Sequence, residues 1–329
     1  MTQLDILVAG ATGYVGRDVT RELTARGHRV TALVRPSSPA LGDAVVDGAL
    51  EGAARLPYDE DGLAKLARVD TVISCIASRT GVARDAWEVD YQRNLALLEL
   101  AKRNGATRFI LLSAICVQKP RLAFQFAKLK FETALAESGL DYAIIRPTAY
   151  FKSLAGQIGR LQDGKPYLMF GDGALTACKP ISTADLARFI AEAVESEQAA
   201  NTILPIGGPG DAITPREIGQ MLFELANLAP KFRAVPPAMF RMASGLLTPL
   251  GWVIPPLQAK AELARIGHYY ATESMLVWDA ANERYDAAQT PSFGSDTLRE
   301  FFAQALTGGL AGQELGAQRI FSKTSGEDV

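Results

Sequence analysis

At 329 residues, 48% hydrophobic and 21% charged, the chain is long enough for one large domain, or for a domain with a smaller lobe. A formal net charge of −2 gives no basic excess and argues against nucleic acid as a main partner. The two histidines, His28 and His268, argue against a multi-histidine metal site or a Ser-His-Asp triad, so no metal is expected. Cys75, Cys116 and Cys178 are odd in number and far apart, which fits a reducing compartment better than a disulfide framework.

Residues 5–9 are a short apolar run that reads as a buried strand. Gly10, Ala11, Thr12, Gly13, Tyr14, Val15 and Gly16 follow. In 17–26, Val19 and Leu23 then fall four apart on one helix face, and Gly27 and His28 stand where that helix should be capped. Strand, glycine turn and helix in that order are the context in which such a motif means dinucleotide binding. Gly10, Thr12, Gly13, Tyr14, Val15 and Gly16 are therefore read as the cofactor cradle. Glycines allow a tight turn and close approach of the backbone, and the start of the helix presents free N–H groups to phosphate. The second strand, 29–34, ends at Arg35. A carboxylate there would accept from the ribose of NAD; an arginine donates to the 2′-phosphate of NADP, so NADPH is expected, with Arg17 assisting.

Residues 36–55 hold weak strand signals at 44–47, and Asp47 and Asp59 compete for the adenine. A helix is expected at 63–67. A strand over 70–77 ends in small residues, Ala77 included, over which a cofactor can lie. A long helix is expected over 85–104, with Trp87, Leu95, Leu98 and Ala101 inward; further strands fall at 108–113 and 142–147. Strands alternating with helices predict an α/β protein, a Rossmann-type doubly wound parallel sheet. Past Pro147 the alternation weakens: a strand at 167–170, a helix at 183–196 capped by Ser182 or Thr183, a strand at 202–206, and a helix opened by Thr214, Pro215 and Glu217. The expected division is a nucleotide domain over 1–150, with 183–206 contributing, and a smaller C-terminal substrate lobe over 151–321. Residues 322–329 read as a disordered tail. The apolar stretch 239–257 is interrupted by Arg241, Pro249, Pro255 and Pro256. It reads as a buried helix pair, a broken helix over a greasy pocket, or a surface in peripheral contact with a membrane.

Reductases of this plan commonly end the fifth strand in a serine and carry a proton-donating tyrosine four residues before a lysine. Here Ser113 and Lys128 are in place as catalytic candidates, but the residue four before Lys128 is Phe124, which has no proton to give. That departure argues against alcohol–ketone interconversion and favours hydride addition to a carbon–carbon double bond in an apolar pocket.

Several longer runs narrow this further: SAICVQKP at 113–120, AKLKFE at 127–132, RPTAYFKSL at 146–154, MFGDG at 169–173, ACKPIS at 177–182, LPIGGPG at 204–210 and AGQELG at 311–316. Together with the glycine motif they resemble the divinyl chlorophyllide 8-vinyl reductases, and the resemblance spans nearly the whole chain. It implies an NADPH-dependent reduction of the 8-vinyl group of divinyl chlorophyllide or protochlorophyllide to ethyl. It also implies Lys128 on the nicotinamide ribose and Tyr150 as proton donor, with water as its rival. Phe124 and Phe151 would line the pigment site, and Lys152 and Lys179 would pair with the pigment's carboxylate. Two other readings compete: a double-bond reductase of the isoflavone or phenylcoumaran kind, and a non-catalytic NADPH sensor of the NmrA type. The fold starts almost at Met1, so a bacterial cytoplasmic setting is expected, at most peripheral to photosynthetic membranes.

Overall fold

The computed structural model describes residues 2–36, 44–251 and 254–308. Seven parallel strands form the central sheet: β1 (Asp5–Ala9), β2 (Arg29–Val34), β3 (Ala54–Pro57), β4 (Thr71–Ser74), β5 (Arg108–Leu112), β6 (Asp141–Pro147) and, after β7 (Tyr167–Phe170) outside the sheet, β8 (Thr202–Ile206). Their order is β3-β2-β1-β4-β5-β6-β8. The order reverses between β1 and β4, and ligands of doubly wound sheets bind at the carboxyl ends of the strands at such a crossing.

Period-2 alternation divides each strand between two helical layers. Ile6 and Val8 pack with Val30, Ile110 and Ile145 against Val19 and Leu23 of α1 (Gly16–Ala25). Leu7, Val72, Phe109, Leu111 and Ile144 pack on the other face against Leu97, Leu98 and Phe131. Two further helices lie beside α1 and β3 respectively, α2 (Ala44–Ala49) and α3 (Glu60–Ala64). The strand expected at 44–47 is thus a helix, with Val46 and Leu50 buried beside α1, while β3 lies in the stretch left unplaced. The helix expected at 63–67 starts earlier, because Asp59 caps it by accepting from the Gly62 N–H at 2.8 Å.

The long helix expected over 85–104 is composite: α4 (Ala83–Ala86), a π-helical segment (Trp87–Arg93) and α5 (Asn94–Arg103). Trp87 does not point inward as expected; the π segment shifts the register and leaves it 37% exposed. Then come α6 (Ala123–Ala136), α7 (Phe151–Leu154) and α8 (Ile158–Gln162). α9 (Thr183–Glu195), with Ser182 as its N-cap, lies beside α1, and β8 joins the sheet edge beside β6.

The C-terminal part has its own core of Phe151, Leu161, Tyr167, Leu222, Phe223 and Phe302. It is built on α10 (Pro215–Leu225), opened by the Thr214–Glu217 capping box, and on β9 (Phe232–Val235), which pairs in parallel with β7. The stretch 239–257 becomes two packed helices, α11 (Ala238–Gly251) and α12 (Pro255–Thr272), followed by the hairpin β10 (Val277–Asp279) and β11 (Arg284–Asp286) and by α13 (Leu298–Gly308). The pair is not simply buried: Met239, Met242 and Leu246 of α11 are more than half exposed. No described helix is long and apolar enough to cross a membrane. The expected tail at 322–329 and the run at 311–316 lie outside the described residues.

Candidate active site

The glycine turn closes over the β1–β4 crossing. Gly10 takes a left-handed φ of +80°, and a Cβ there would stand 2.8 Å from the Cys75 carbonyl just past β4. At Gly16 a Cβ would sit 2.1 Å from the Gly10 oxygen, so only glycine allows α1 to start this close to the turn. The Gly13 N–H donates to the Gly10 carbonyl at 2.9 Å. Val15, at the helix N-cap, supplies no side-chain cap. The Arg17 N–H is taken by the Gly13 carbonyl and the Asp18 N–H by the Val15 carbonyl, each at 3.1 Å, which leaves the N–H groups of Val15 and Gly16; beside a turn emptied of side chains they form a cradle that suits a pyrophosphate. Thr12 is half-buried at its rim, Arg35 is exposed at the tip of β2, and Ala77 is exposed beyond β4.

Tyr14 joins this turn to the next part of the site. Its ring lies edge-on to Tyr150 at 6.3 Å, with Arg17 5.6 Å and the Lys152 ammonium 4.7 Å from its centroid. Burial, and after it the charge of Asp18, pushes the Tyr14 phenol up to about 12. Lys152 therefore stands over a residue of the glycine turn. Tyr150, at the N-cap of α7, is partly buried, and desolvation raises its phenol far above the ordinary range, with Cys75, Cys116 and Tyr14 as electrostatic neighbours.

Lys128 is buried on α6, and its ammonium lies 2.9 Å from Oδ1 of Asp90, a residue on the π segment that is 1% exposed. Sequence reasoning missed Asp90. The Ser78 N–H also donates to that oxygen at 3.3 Å, while Oδ2 has no partner among the described residues. An orphaned buried carboxylate oxygen beside a buried lysine, past the end of β4, suits hydrogen bonding to ribose hydroxyls. One helical turn on, Asn94 accepts from Ser74 Oγ at 2.5 Å and donates to the carbonyls of Val89 and Asp90. A readable signal existed: Asp90 and Asn94 are polar residues spaced i, i+4 among Ala86, Leu97, Leu98 and Ala101, on the buried face of the helix. π-segments recur at functional sites for the same reason, since they re-aim one side chain.

Other expected residues have different surroundings. Ser113 Oγ donates to Glu132 Oε1 at 2.5 Å, and Glu132 also binds Arg146, so this serine belongs to a buried ion cluster under the sheet tip. Phe124 packs on an apolar cluster of Cys116, Leu122 and Tyr269, with Ile266 of α12 alongside. Phe151 is 3% exposed in the C-terminal core, 5.6 Å from Phe301, rather than at an open surface. The Lys179 ammonium donates to the Thr290 carbonyl at 3.0 Å and to Ser292 Oγ at 3.1 Å, tying a loop. The histidine beside Gly27 caps through its backbone, donating to Leu23, while its ring bridges the Leu4 N–H and Glu195. Asp47 pairs with Arg55 at 2.8 Å and Asp59 caps α3; neither geometry selects an adenine partner. No group of metal-ligating side chains is present among the described residues.

This sheet order, with a glycine turn at its crossing and a buried lysine–carboxylate pair beyond β4, defines a nicotinamide-dinucleotide-binding protein of the Rossmann class. Residues 10–197 match the family model described as NAD(P)H-binding. Among solved structures, the leucoanthocyanidin reductase–NADPH complex from Vitis vinifera superposes with a TM-score of 0.66 over 92% of this chain and 99% of that one; at 18% identity this shows the fold alone. Among curated proteins, the chain is 49% identical over 333 residues to the chloroplastic divinyl chlorophyllide a 8-vinyl-reductase of Cucumis sativus, covering 96% of this chain and 80% of that protein. It is 46% identical to the protein of the same name from Arabidopsis thaliana, with the same coverage. The chain belongs to the divinyl chlorophyllide a 8-vinyl-reductase family. These relatives are chloroplastic plant proteins, which overturns the bacterial cytoplasmic placement expected from the sequence.

Proposed function

We propose that this chain, an NADPH-dependent oxidoreductase of that family, reduces the 8-vinyl group of a divinyl chlorophyllide-type pigment to ethyl. The observation that carries this is the site itself: a buried Lys128–Asp90 pair is present while Phe124 occupies the position of the usual proton donor, in a chain 49% identical to a named vinyl reductase.

Backbone N–H groups of Thr12, Val15 and Gly16 would hold the pyrophosphate, with Gly10 and Gly13 shaping the turn, Arg35 and Arg17 would hold the 2′-phosphate, and Lys128 with Asp90 the nicotinamide ribose. Held there, a reduced nicotinamide would supply the hydride, which the vinyl group would take at its outer carbon. The chain's own residues do the rest. Phe124, Cys116 and Ile266 keep the reacting face dry, which strengthens every charge interaction there. Tyr150, whose phenol burial keeps protonated, holds a proton at Oη for the inner vinyl carbon.

The test is NADPH oxidation with divinyl chlorophyllide or divinyl protochlorophyllide, followed by the pigment's Soret band. A blue shift with one NADPH consumed per vinyl group is expected. A chain that binds NADPH tightly but leaves both pigments unchanged overturns the reading.

A further inference from the structure

The pigment carries a carboxylate, and the two lysines expected to meet it have other neighbours: Lys179 ties the loop at 290–292 and Lys152 stands over Tyr14. The structure offers a different partner. A cleft of about 170 Å³ opens between the start of α6 and the α11–α12 pair, lined by Arg121, Leu122, Arg241, Arg265, His268 and Tyr269, with Ser244 at its edge. Whole-ligand pockets usually run from about 300 to 1,000 Å³, so this space fits one arm of a ligand and not a macrocycle.

Its charge is unbalanced. Arg121 shares Glu273 with Lys119, at 2.9 and 2.8 Å. Arg265 pairs with Glu262 at 2.7 Å and donates to Thr248 at 2.8 Å. No carboxylate pairs with Arg241 among the described residues. Three arginines thus line the cleft, and of these Arg241 has no carboxylate partner while Arg121 has only a share of one, which leaves the lining net positive. His268 feels it: burial first, then Arg241 and Arg121, hold its imidazole below the ordinary range, against a smaller opposing pull from Glu273. The cleft shares Leu122 and Tyr269 with the apolar cluster that contains Phe124, so it adjoins the reacting face. Tyr269 is fixed there by donating to the Cys116 and Lys119 carbonyls, at 2.9 and 3.1 Å.

We infer that this cleft seats the carboxylate of the substrate, with Arg241 as its main anchor and Arg121 and Arg265 flanking it. The inference rests on the vinyl-reductase reading for the identity of the ligand, and it assigns the arginines a binding role: they hold the pigment's carboxylate equally in the ground state and the transition state, so their loss raises KM and leaves kcat. Guanidinium groups suit this because they grip a carboxylate with two parallel N–H bonds.

The test compares divinyl chlorophyllide with its methyl ester, which has the same ring and no charge. In the unmodified protein the ester should show a KM and a dissociation constant about tenfold higher than the acid. Arg241→Ala should raise both constants for the acid by about tenfold, leave the ester's unchanged, and leave kcat and NADPH affinity within about twofold; Arg241→Lys should restore part of the loss. Arg241 is exposed, so the variants should fold. Equal handling of acid and ester by the unmodified protein overturns the assignment, and so does an Arg241→Ala effect of equal size on both. Pigment binding that favours the acid in an Arg241-dependent way, without turnover, would keep the carboxylate seat and sink the vinyl-reductase reading instead.

Discussion

Changing Asp90 to Asn keeps the shape of the side chain and removes its charge. Lys128 Nζ and Asp90 Oδ1 are 2.9 Å apart, both nearly out of solvent, with side chains 10% and 0% exposed. At an effective dielectric of about 20 this separation gives a gross attraction of about 6 kcal/mol, most of it offset by the cost of removing both charges from water. The net worth of the pair is therefore small, but breaking it is costly: a buried ammonium left without its partner typically loses about 3–5 kcal/mol. Asp90→Asn should lower Tm by about 6–10 °C and weaken NADPH binding at least about tenfold. Adding Lys128→Met removes the stranded charge, so the double variant should regain stability to within about 1 kcal/mol of the unmodified protein while NADPH binding stays weak. Urea denaturation and NADPH fluorescence titration read the two effects separately. A double variant as unstable as Asp90→Asn would refute the charge-pair argument, and unchanged NADPH affinity in Lys128→Met would refute the ribose role.

Three further outcomes are expected. Gly16→Ala puts a methyl 2.1 Å from the Gly10 oxygen; it should cost about 1–3 kcal/mol and reduce NADPH affinity more than pigment affinity, measured by titration of each. Tyr150→Phe should lower kcat about 10²-fold or more with NADPH affinity unchanged, and full turnover would remove Tyr150 from the mechanism in favour of water. The folded-state phenol of Tyr14 lies near 12 against about 10 when unfolded, so its contribution to stability is complete below pH 10 and is lost as pH rises toward 12. Relative to Tyr14→Phe, the unmodified protein should lose about 2–3 kcal/mol between pH 9 and pH 12 in urea titrations, and parallel pH curves would contradict the assignment.

Local chemistry made much of this protein legible from its residues alone. The glycine turn, β1, the Thr214–Glu217 capping box and the Ser182 cap are each set by neighbours within a few positions, where backbone sterics and hydrogen-bond geometry act without the rest of the fold. The Phe124 departure was equally readable, because it compares two positions one helical turn apart. What the tertiary structure alone decided depends on residues distant in sequence. The stretch 44–47 was expected as strand and is helix because Val46 and Leu50 fill space against α1. The i, i+4 spacing marks Asp90 as a polar residue on a buried face, but its partner, Lys128 on another helix, was set by the tertiary structure. Ser113 proved to be tied to Glu132, and the cationic cleft draws on α6, α11 and α12 at once. Turn and cap preferences are short-range energies carried by the residues themselves, whereas the worth of a buried charge is set by whatever the folded chain places beside it.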